Sequence, residues 1–243
     1  MSVLSLANDH VAHFPPPAAV VPGPWSRGPA RSDFVDAVAR PEGMVRHRKG
    51  ASIFFCGEAA PKYYEVVSGV VSGYSELIDG RRQIVEFFLP GDIVGFSPVG
   101  RFLYSAEAVT DTVLRTRLVP LRDGSRPEDA EEVHRLFDST LTLLQAAQDR
   151  LLLLGRKTAR ERLASFLLSM AARSGYRADK RVDLPMTRLE IADYLGLTIE
   201  TVSRTFSELR RDRIIEFAAG CRQIVLLDIE TLREFAGEDD EID

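Results

Sequence analysis

The chain has 243 residues, enough for two modest domains and too many for one typical small one. A formal net charge of −5 excludes a protein that binds nucleic acid through its whole surface, while leaving room for a local basic patch. No apolar run reaches bilayer-spanning length, no signal-peptide pattern opens the chain, and Cys56 and Cys221 are too few and too far apart for a disulfide scaffold, so a cytoplasmic protein without membrane contact is expected.

Residues 1–30 read as a flexible arm. Pro15, Pro16, Pro17, Pro22, Pro24 and Pro29 forbid a regular helix or a central strand. His10 and His13 have i, i+3 spacing, but no further metal ligands accompany them.

Residues 31–126 read as an all-β domain. Short β-rich runs (ASIFF, KYYEVVSG, VVSGYSEL, RRQIVEFFL) alternate with Gly and Asp punctuation. Asp79-Gly80 between two alternating runs predicts a hairpin. His47 lies in a basic surface run, Arg46 to Lys49, and is expected to be solvated.

Residues 127–156 read as one long helix. Ser125 and Glu128 form an S-x-x-E capping box with Pro127 in the first turn. Val133, Phe137, Thr140, Leu144, Ala147, Leu151 and Leu154 then step by four and three, the spacing of a coiled-coil seam. Leu141, Leu143, Leu152 and Leu153 imply a second covered face. The simplest arrangement has the seam meeting its copy in a homodimer while the other face packs on the β domain. Gly155 marks a hinge.

Residues 157–243 read as a second, mostly helical domain. Leu163, Phe166, Leu167 and Met170 form the stripe of an amphipathic helix. Arg181 to Pro185 is an extended link. Thr187 and Glu190 make a T-x-x-E capping box that opens a short helix, with Leu189, Ala192 and Leu195 as its apolar positions. Gly196 turns the chain and Thr198 caps a second helix. Val202, Phe206 and Leu209 face inward on it. Glu200, Arg204, Ser207 and Arg211 face outward, with Ser203 on the flank. A carboxylate, a hydroxyl and a guanidinium near a helix N-terminus can read base edges in a major groove. Two strands around Ala219-Gly220 and a short helix from Ile229 to Phe235 complete a winged helix-turn-helix. Cys221, on the return side of the wing turn, is a candidate redox site if exposed. Arg204, Arg210, Arg211 and Arg213 cluster at the end of the second helix, and Arg156, Lys157, Arg160 and Arg162 lie earlier, Lys157 being at most a phosphate contact. The acidic end from Glu238 to Asp243 reads as a solvated tail.

The segment Ile199-Glu200-Thr201-Val202-Ser203-Arg204 closely resembles the recognition helix of the Crp/Fnr superfamily of bacterial transcription regulators, and its Glu-x-x-Ser-Arg pattern is similar to the Fnr and FixK branches. The resemblance runs from about Phe34 to about Phe235. It implies an α+β protein: an N-terminal jelly-roll-like β-roll sensor domain, a dimerisation helix, and a C-terminal winged helix-turn-helix. It implies base reading by Glu200, Ser203 and Arg204 on a TTGA-type inverted repeat in double-stranded DNA. Thr187, Arg188, Thr198, Thr201, Ser207 and Arg211 are the further DNA-facing candidates, and RNA polymerase is an expected partner.

Within the roll the matching residues are Lys49-Gly50, Gly57-Glu58, Tyr64-Glu65-Val66, Gly69, Asp79-Gly80-Arg81 and Leu89-Pro90-Gly91-Asp92 followed by Gly95. Cyclic-nucleotide receptors of the superfamily place a ribose-binding Glu after that Gly and a phosphate-binding Arg-Ser pair later. Here Phe96 follows Gly95, and Tyr104-Ser105 stands in place of Arg-Ser. An apolar ring accepts nothing from a ribose hydroxyl, and a phosphate without its cation loses its main charge-assisted contact. An iron–sulfur sensor needs about four thiolates, and this chain has no cysteine before Cys56. The expectation is therefore a FixK-like activator of micro-oxic or nitrogen-fixation genes without cofactor. The alternative is the same fold gated by an unidentified small molecule or by cysteine oxidation. A β-roll metalloenzyme would need clustered ligands that four scattered histidines do not supply.

Overall fold

The computed structural model describes residues 43–119, 129–174, 180–218 and 222–237. The first part is a roll of eight strands: β1 (Gly43–His47), β2 (Ser52–Phe54), β3 (Lys62–Ser68), β4 (Val71–Glu76), β5 (Arg82–Phe88), β6 (Ile93–Val94), β7 (Ser105–Ala108) and β8 (Thr112–Leu118). They form two antiparallel four-stranded sheets, ordered β1-β8-β3-β6 and β2-β7-β4-β5. Alternation along the strands sends Tyr64 and Val66 of β3, Val71 of β4, Phe88 of β5 and Leu114 of β8 into the space between the sheets. The hairpin expected at Asp79-Gly80 is present, joining β4 to β5. Its loop runs from Leu77 to Arg81 and is closed by the Leu77 N–H on the Arg81 carbonyl at 2.8 Å. Asp79 spends its carboxylate on Arg81, and Gly80 takes a positive φ of 83°. His47 is not solvated as predicted: the β1–β8 pairing half-buries it, and burial, then Lys62, holds its pKa below the ordinary value.

Helix α1 (Asp129–Arg156) follows, 28 residues and so about 42 Å long at 1.5 Å per residue. Its partner face toward the roll carries half-buried Leu143 and Leu153. The seam residues Val133, Phe137, Thr140, Leu144, Ala147 and Leu151 are exposed along the opposite side, Leu151 by 74%. Leu154 departs from the seam. It is half-buried, and its Cδ2 lies where a Cβ on Gly196 would come within 3.2 Å of it, so it packs on the next domain instead. The capping box at Ser125 and Glu128 and the arm of residues 1–30 lie outside the described residues.

The second domain contains α2 (Ala159–Arg173), β9 (Arg181–Asp183), α3 (Arg188–Leu195), α4 (Ile199–Arg211), β10 (Ile215–Phe217), β11 (Gln223–Leu226) and α5 (Ile229–Ala236). Thr158 and Glu161 form a complete capping box on α2, worth about 1 kcal/mol by analogy with other N-caps. The expected stripe of Leu163, Phe166, Leu167 and Met170 is buried, joined by Ala164, Leu168 and Ala171. The segment read as a link, Arg181 to Asp183, is the third strand of the wing sheet, ordered β10-β11-β9. No extended run there is long enough to announce a strand by alternation. Val70, Tyr74, Ile84, Phe87 and Val109 of the roll belong to the same apolar core as α2 to α5.

Candidate nucleic-acid interface

The helix-turn-helix is built as its caps and its glycine dictate. Thr187 accepts from the Glu190 N–H, and Glu190 returns a bond to the Thr187 N–H. Gly196 ends α3 with φ 62°, a left-handed turn open to glycine without a Cβ penalty. Thr198 caps α4 by accepting from the Thr201 N–H. The buried face of α3 is Ile191, Ala192 and Leu195, not the predicted Leu189, which is 54% exposed. Leu189 sits one turn too early, where α3 leaves the core. Val202, Thr205, Phe206 and Leu209 hold α4 down.

The opposite face of α4 is unspent. Glu200, Ser203 and Arg204 are exposed, and their side chains make no hydrogen bond or ion pair among the described residues. They lie within one helical turn of each other beside three N-terminal backbone donors, a local field that suits a nearby phosphate. The other candidates fall into two groups. Thr187, Thr198, Ser207 and Arg211 are exposed on the same side. The Ser207 hydroxyl donates to the Ser203 carbonyl, and Arg211 makes a loose ion pair with Asp212 at 3.5 Å. Thr201 is half-buried, its hydroxyl 3.1 Å from that of Thr198. Arg188 is held rather than free: its guanidinium lies 3.4 Å from the centre of the Phe206 ring and 5.3 Å from that of Phe217. Arg210 approaches Phe217 at 5.8 Å.

The earlier basic group has other work. The Lys157 ammonium donates to the Ala236 carbonyl at 2.6 Å and to the Ser165 hydroxyl at 2.8 Å. Arg160 pairs with Asp212 and stacks on Phe235 at 4.5 Å. Arg162 donates to three carbonyls, Leu154, Lys157 and Leu195, at 2.9–3.0 Å. The Lys157 ammonium is thus spent inside the fold, where the end of α5 needs a donor. Cys221 and the turn at Ala219-Gly220 lie outside the described residues, while the described Cys56 is exposed.

Inside the roll the two groups that stand where a nucleotide would be held, the Gly95 N–H and the Ser105 hydroxyl, are already engaged. The Gly95 N–H donates to the Tyr104 hydroxyl at 3.0 Å, and the Ser105 hydroxyl accepts from the Cys56 N–H at 3.0 Å. Rings fill the space beside them. Phe54 and Phe102 stack at 3.8 Å, Tyr104 stacks on Phe88 at 5.8 Å, and a Cβ on Gly95 would meet Phe54 at 2.8 Å. Burial pushes the Tyr104 hydroxyl up to about 12, so it stays a neutral partner. Phe96 turns away and meets Tyr63 edge-on at 5.9 Å.

Comparison with known proteins agrees with both halves of this geometry. Residues 44–117 match the cyclic nucleotide-binding domain, and residues 161–235 match the Crp-like helix-turn-helix domain. The chain is 41% identical to the nitrogen fixation regulation protein FixK of Azorhizobium caulinodans, over 96% of this chain and 98% of that protein. The chain belongs to the Crp/Fnr family of transcription regulators. It is 38% identical to the transcriptional activator protein FnrL of Cereibacter sphaeroides, over 79% of this chain and 80% of that one. The structure of FixK2 from Bradyrhizobium japonicum superposes with a TM-score of 0.74 at 41% identity, covering 80% of this chain and 96% of that one. The Crp/Fnr architecture expected from the sequence, roll then helix-turn-helix, is therefore the one present, and the chain is a regulator rather than an enzyme.

Three features of this Crp/Fnr chain escaped the sequence. Phe217 carries no local signal of its role, although its ring lies near the guanidiniums of both Arg188 and Arg210. Arg162 stands in a basic run of the sequence, and nothing in its neighbours reveals that the ends of α1 and α3 converge on it. Glu86 lies in an apolar strand run, IVEFF, and that placement was the available signal: a carboxylate facing inward must have partners.

Proposed function

We propose that this protein is a homodimeric, sequence-specific transcription activator of the FixK type that reads a TTGA-type inverted repeat without a bound cofactor. The observation that carries this reading is the unengaged set Glu200, Ser203 and Arg204 on the outer face of α4. Arg204 has the fork to hold guanine O6 and N7 with two bonds, Glu200 accepts from a cytosine amine, and Ser203 touches a neighbouring thymine. Thr187, Arg188, Thr198, Thr201, Ser207 and Arg211 supply contacts to the DNA backbone that position the head. Stacking on Phe206 keeps Arg188 in place for this.

Dimerisation through α1 is supported by the exposed apolar line of Val133, Phe137, Leu144 and Leu151, which a second copy would cover. Independence from cyclic nucleotide is supported by the ring-filled roll and by the internal partners of Gly95 and Ser105. Two cysteines are too few for an iron–sulfur cluster. The working division is an arm of 1–30, a roll of 31–126, a dimer helix of 127–156 and a DNA-binding domain of 157–243. The relatives named above as a regulator of nitrogen fixation and as an activator support activation of nitrogen-fixation genes; micro-oxic control, contact with RNA polymerase and action in the cytoplasm belong to the same proposal. No helix among the described residues is long and apolar enough to cross a membrane.

Binding-site selection with ligand-free wild type and with Arg204→Ala tests the reading, each repeated with cAMP present. Wild type should recover a TTGA-type palindrome equally well with and without cAMP. Arg204→Ala should cost roughly 1–3 kcal/mol and relax preference at the guanine. A wild type that selects no such palindrome, or a variant that keeps the guanine preference, sinks the assignment.

A further inference from the structure

The roll and the DNA-binding domain meet along one strand. β5 carries Gln83, Glu86 and Phe87 to the ends of three helices. Glu86 is only 6% exposed. One of its oxygens accepts from Arg150 of α1 at 3.1 Å, and the other accepts from Arg173 in the last turn of α2 at 2.9 Å and from the Phe87 N–H at 2.9 Å. Each arginine is tied down again. Arg150 donates to the Ile84 carbonyl at 3.1 Å and lies 4.2 Å above the Tyr194 ring of α3. Arg173 donates to the Phe87 carbonyl at 2.8 Å and to Asp92 at 2.7 Å. Beside them the Gln83 amide donates to the Asp193 carbonyl at 2.5 Å, and Phe87 stacks on Tyr194 at 5.2 Å. On the far side of the joint, Arg162 binds the carbonyls of Leu154 and Leu195 at once. The two-residue link between α1 and α2, Lys157 and Thr158, is thus clamped from both sides.

Apolar contact alone would hold the two domains together without choosing an angle, because burial of apolar surface is non-directional. A buried carboxylate gripped by guanidiniums from two different helices does choose one: charge-assisted bonds are short and directional, and burial weakens their screening by salt. We propose that Glu86 is a positioning residue for DNA recognition: it fixes the angle of each reading helix relative to the dimer helix and so sets the half-site spacing that the dimer accepts. The proposal rests on the dimeric, operator-reading function proposed above. One added base pair moves a half-site by about 3.4 Å along the duplex and rotates it by about 35°. A clamped head cannot follow that step, whereas a loosened one can.

The test uses full-length protein and inverted repeats with identical half-sites, their spacer shortened by one base pair, unchanged, or lengthened by one. Wild type should prefer one spacing by about tenfold or more. Glu86→Gln should shrink that preference to about threefold or less while the affinity for an isolated half-site stays the same. A head that is merely less stable would lose affinity for all three spacings in proportion and leave their ratio untouched. Arg150→Met cuts the tie to α1 while leaving Glu86 paired with Arg173, and it should relax spacing in the same way if Glu86→Gln fails to fold. An unchanged ratio in a folded variant overturns the proposal while the operator reading stands. A wild type with no spacing preference overturns the dimer reading and this proposal with it.

Discussion

The interior of the roll and the outer face of α4 carry similar groups in opposite states. In the roll, the Gly95 N–H and the Ser105 hydroxyl are consumed by Tyr104 and Cys56, and the rings of Phe54, Tyr64, Phe88, Phe102 and Tyr104 occupy the space between the sheets. On α4, a carboxylate, a hydroxyl and a guanidinium stand exposed and uncommitted. A polar group already satisfied within the fold gains little from a ligand, since binding would only exchange one hydrogen bond for another. An uncommitted group on a rigid helix gains the full difference. The difference teaches that the same kinds of side chain count as binding groups only where the fold leaves them uncommitted. The α1 seam is the apolar counterpart of the α4 face, a row of exposed side chains with nothing yet covering it.

The largest effect should follow from breaking the seam. Leu144→Glu with Leu151→Glu places four like charges in one interface, and sedimentation should report a monomer. Operator affinity should fall about 10²–10⁴-fold as the second half-site contact ceases to be intramolecular. An unchanged oligomer would place the interface elsewhere.

Emptying the roll comes next. Tyr104→Ala removes a ring that stacks on Phe88 and leaves the Gly95 N–H without its acceptor. Thermal or denaturant unfolding should show a loss of about 3–5 kcal/mol, the range for deleting a buried aromatic. Half-site preference, measured on the folded fraction, should not move. A shift in base preference would mean that the roll takes part in reading.

Lys157→Met addresses the boundary between the two regions. Losing the bonds to the Ala236 carbonyl and Ser165 should cost about 1–3 kcal/mol of stability, in the range for hydrogen bonds to a charged group. DNA affinity should stay within about twofold for all sequences. A uniform loss of affinity with stability intact would return Lys157 to the phosphate contacts.

The smallest effect belongs to His47 on β1. Burial and then Lys62 hold its pKa below the ordinary 6.5, so the folded roll favours the neutral ring. Its contribution to stability is therefore complete above about pH 6.5 and is lost as the pH falls from there through the folded value. Comparing the Tm of wild type and His47→Gln from about pH 7.5 down to about 5.5 should show the gap between them narrowing. A constant gap would mean that the histidine is not coupled to folding.

Much of this molecule was determined by neighbours along the chain. Caps at Thr187 and Thr198, the left-handed turn at Gly196 and the four-three stepping of α1 depend on residues within a turn or two of each other, so the elements and the exposed face of α4 were legible. The third wing strand at Arg181, the exposure of Leu189 and the withdrawal of Leu154 from the seam were not, because each depends on which distant element happens to lie alongside. The junction at Glu86 is the clearest case. Its partner Arg173 lies 87 residues away, and no local pattern distinguishes an inward carboxylate with a waiting guanidinium from one without. Periodicity and capping are properties of the chain's own geometry, but a buried charge finds its partner only when the tertiary fold removes water from both and brings them within reach.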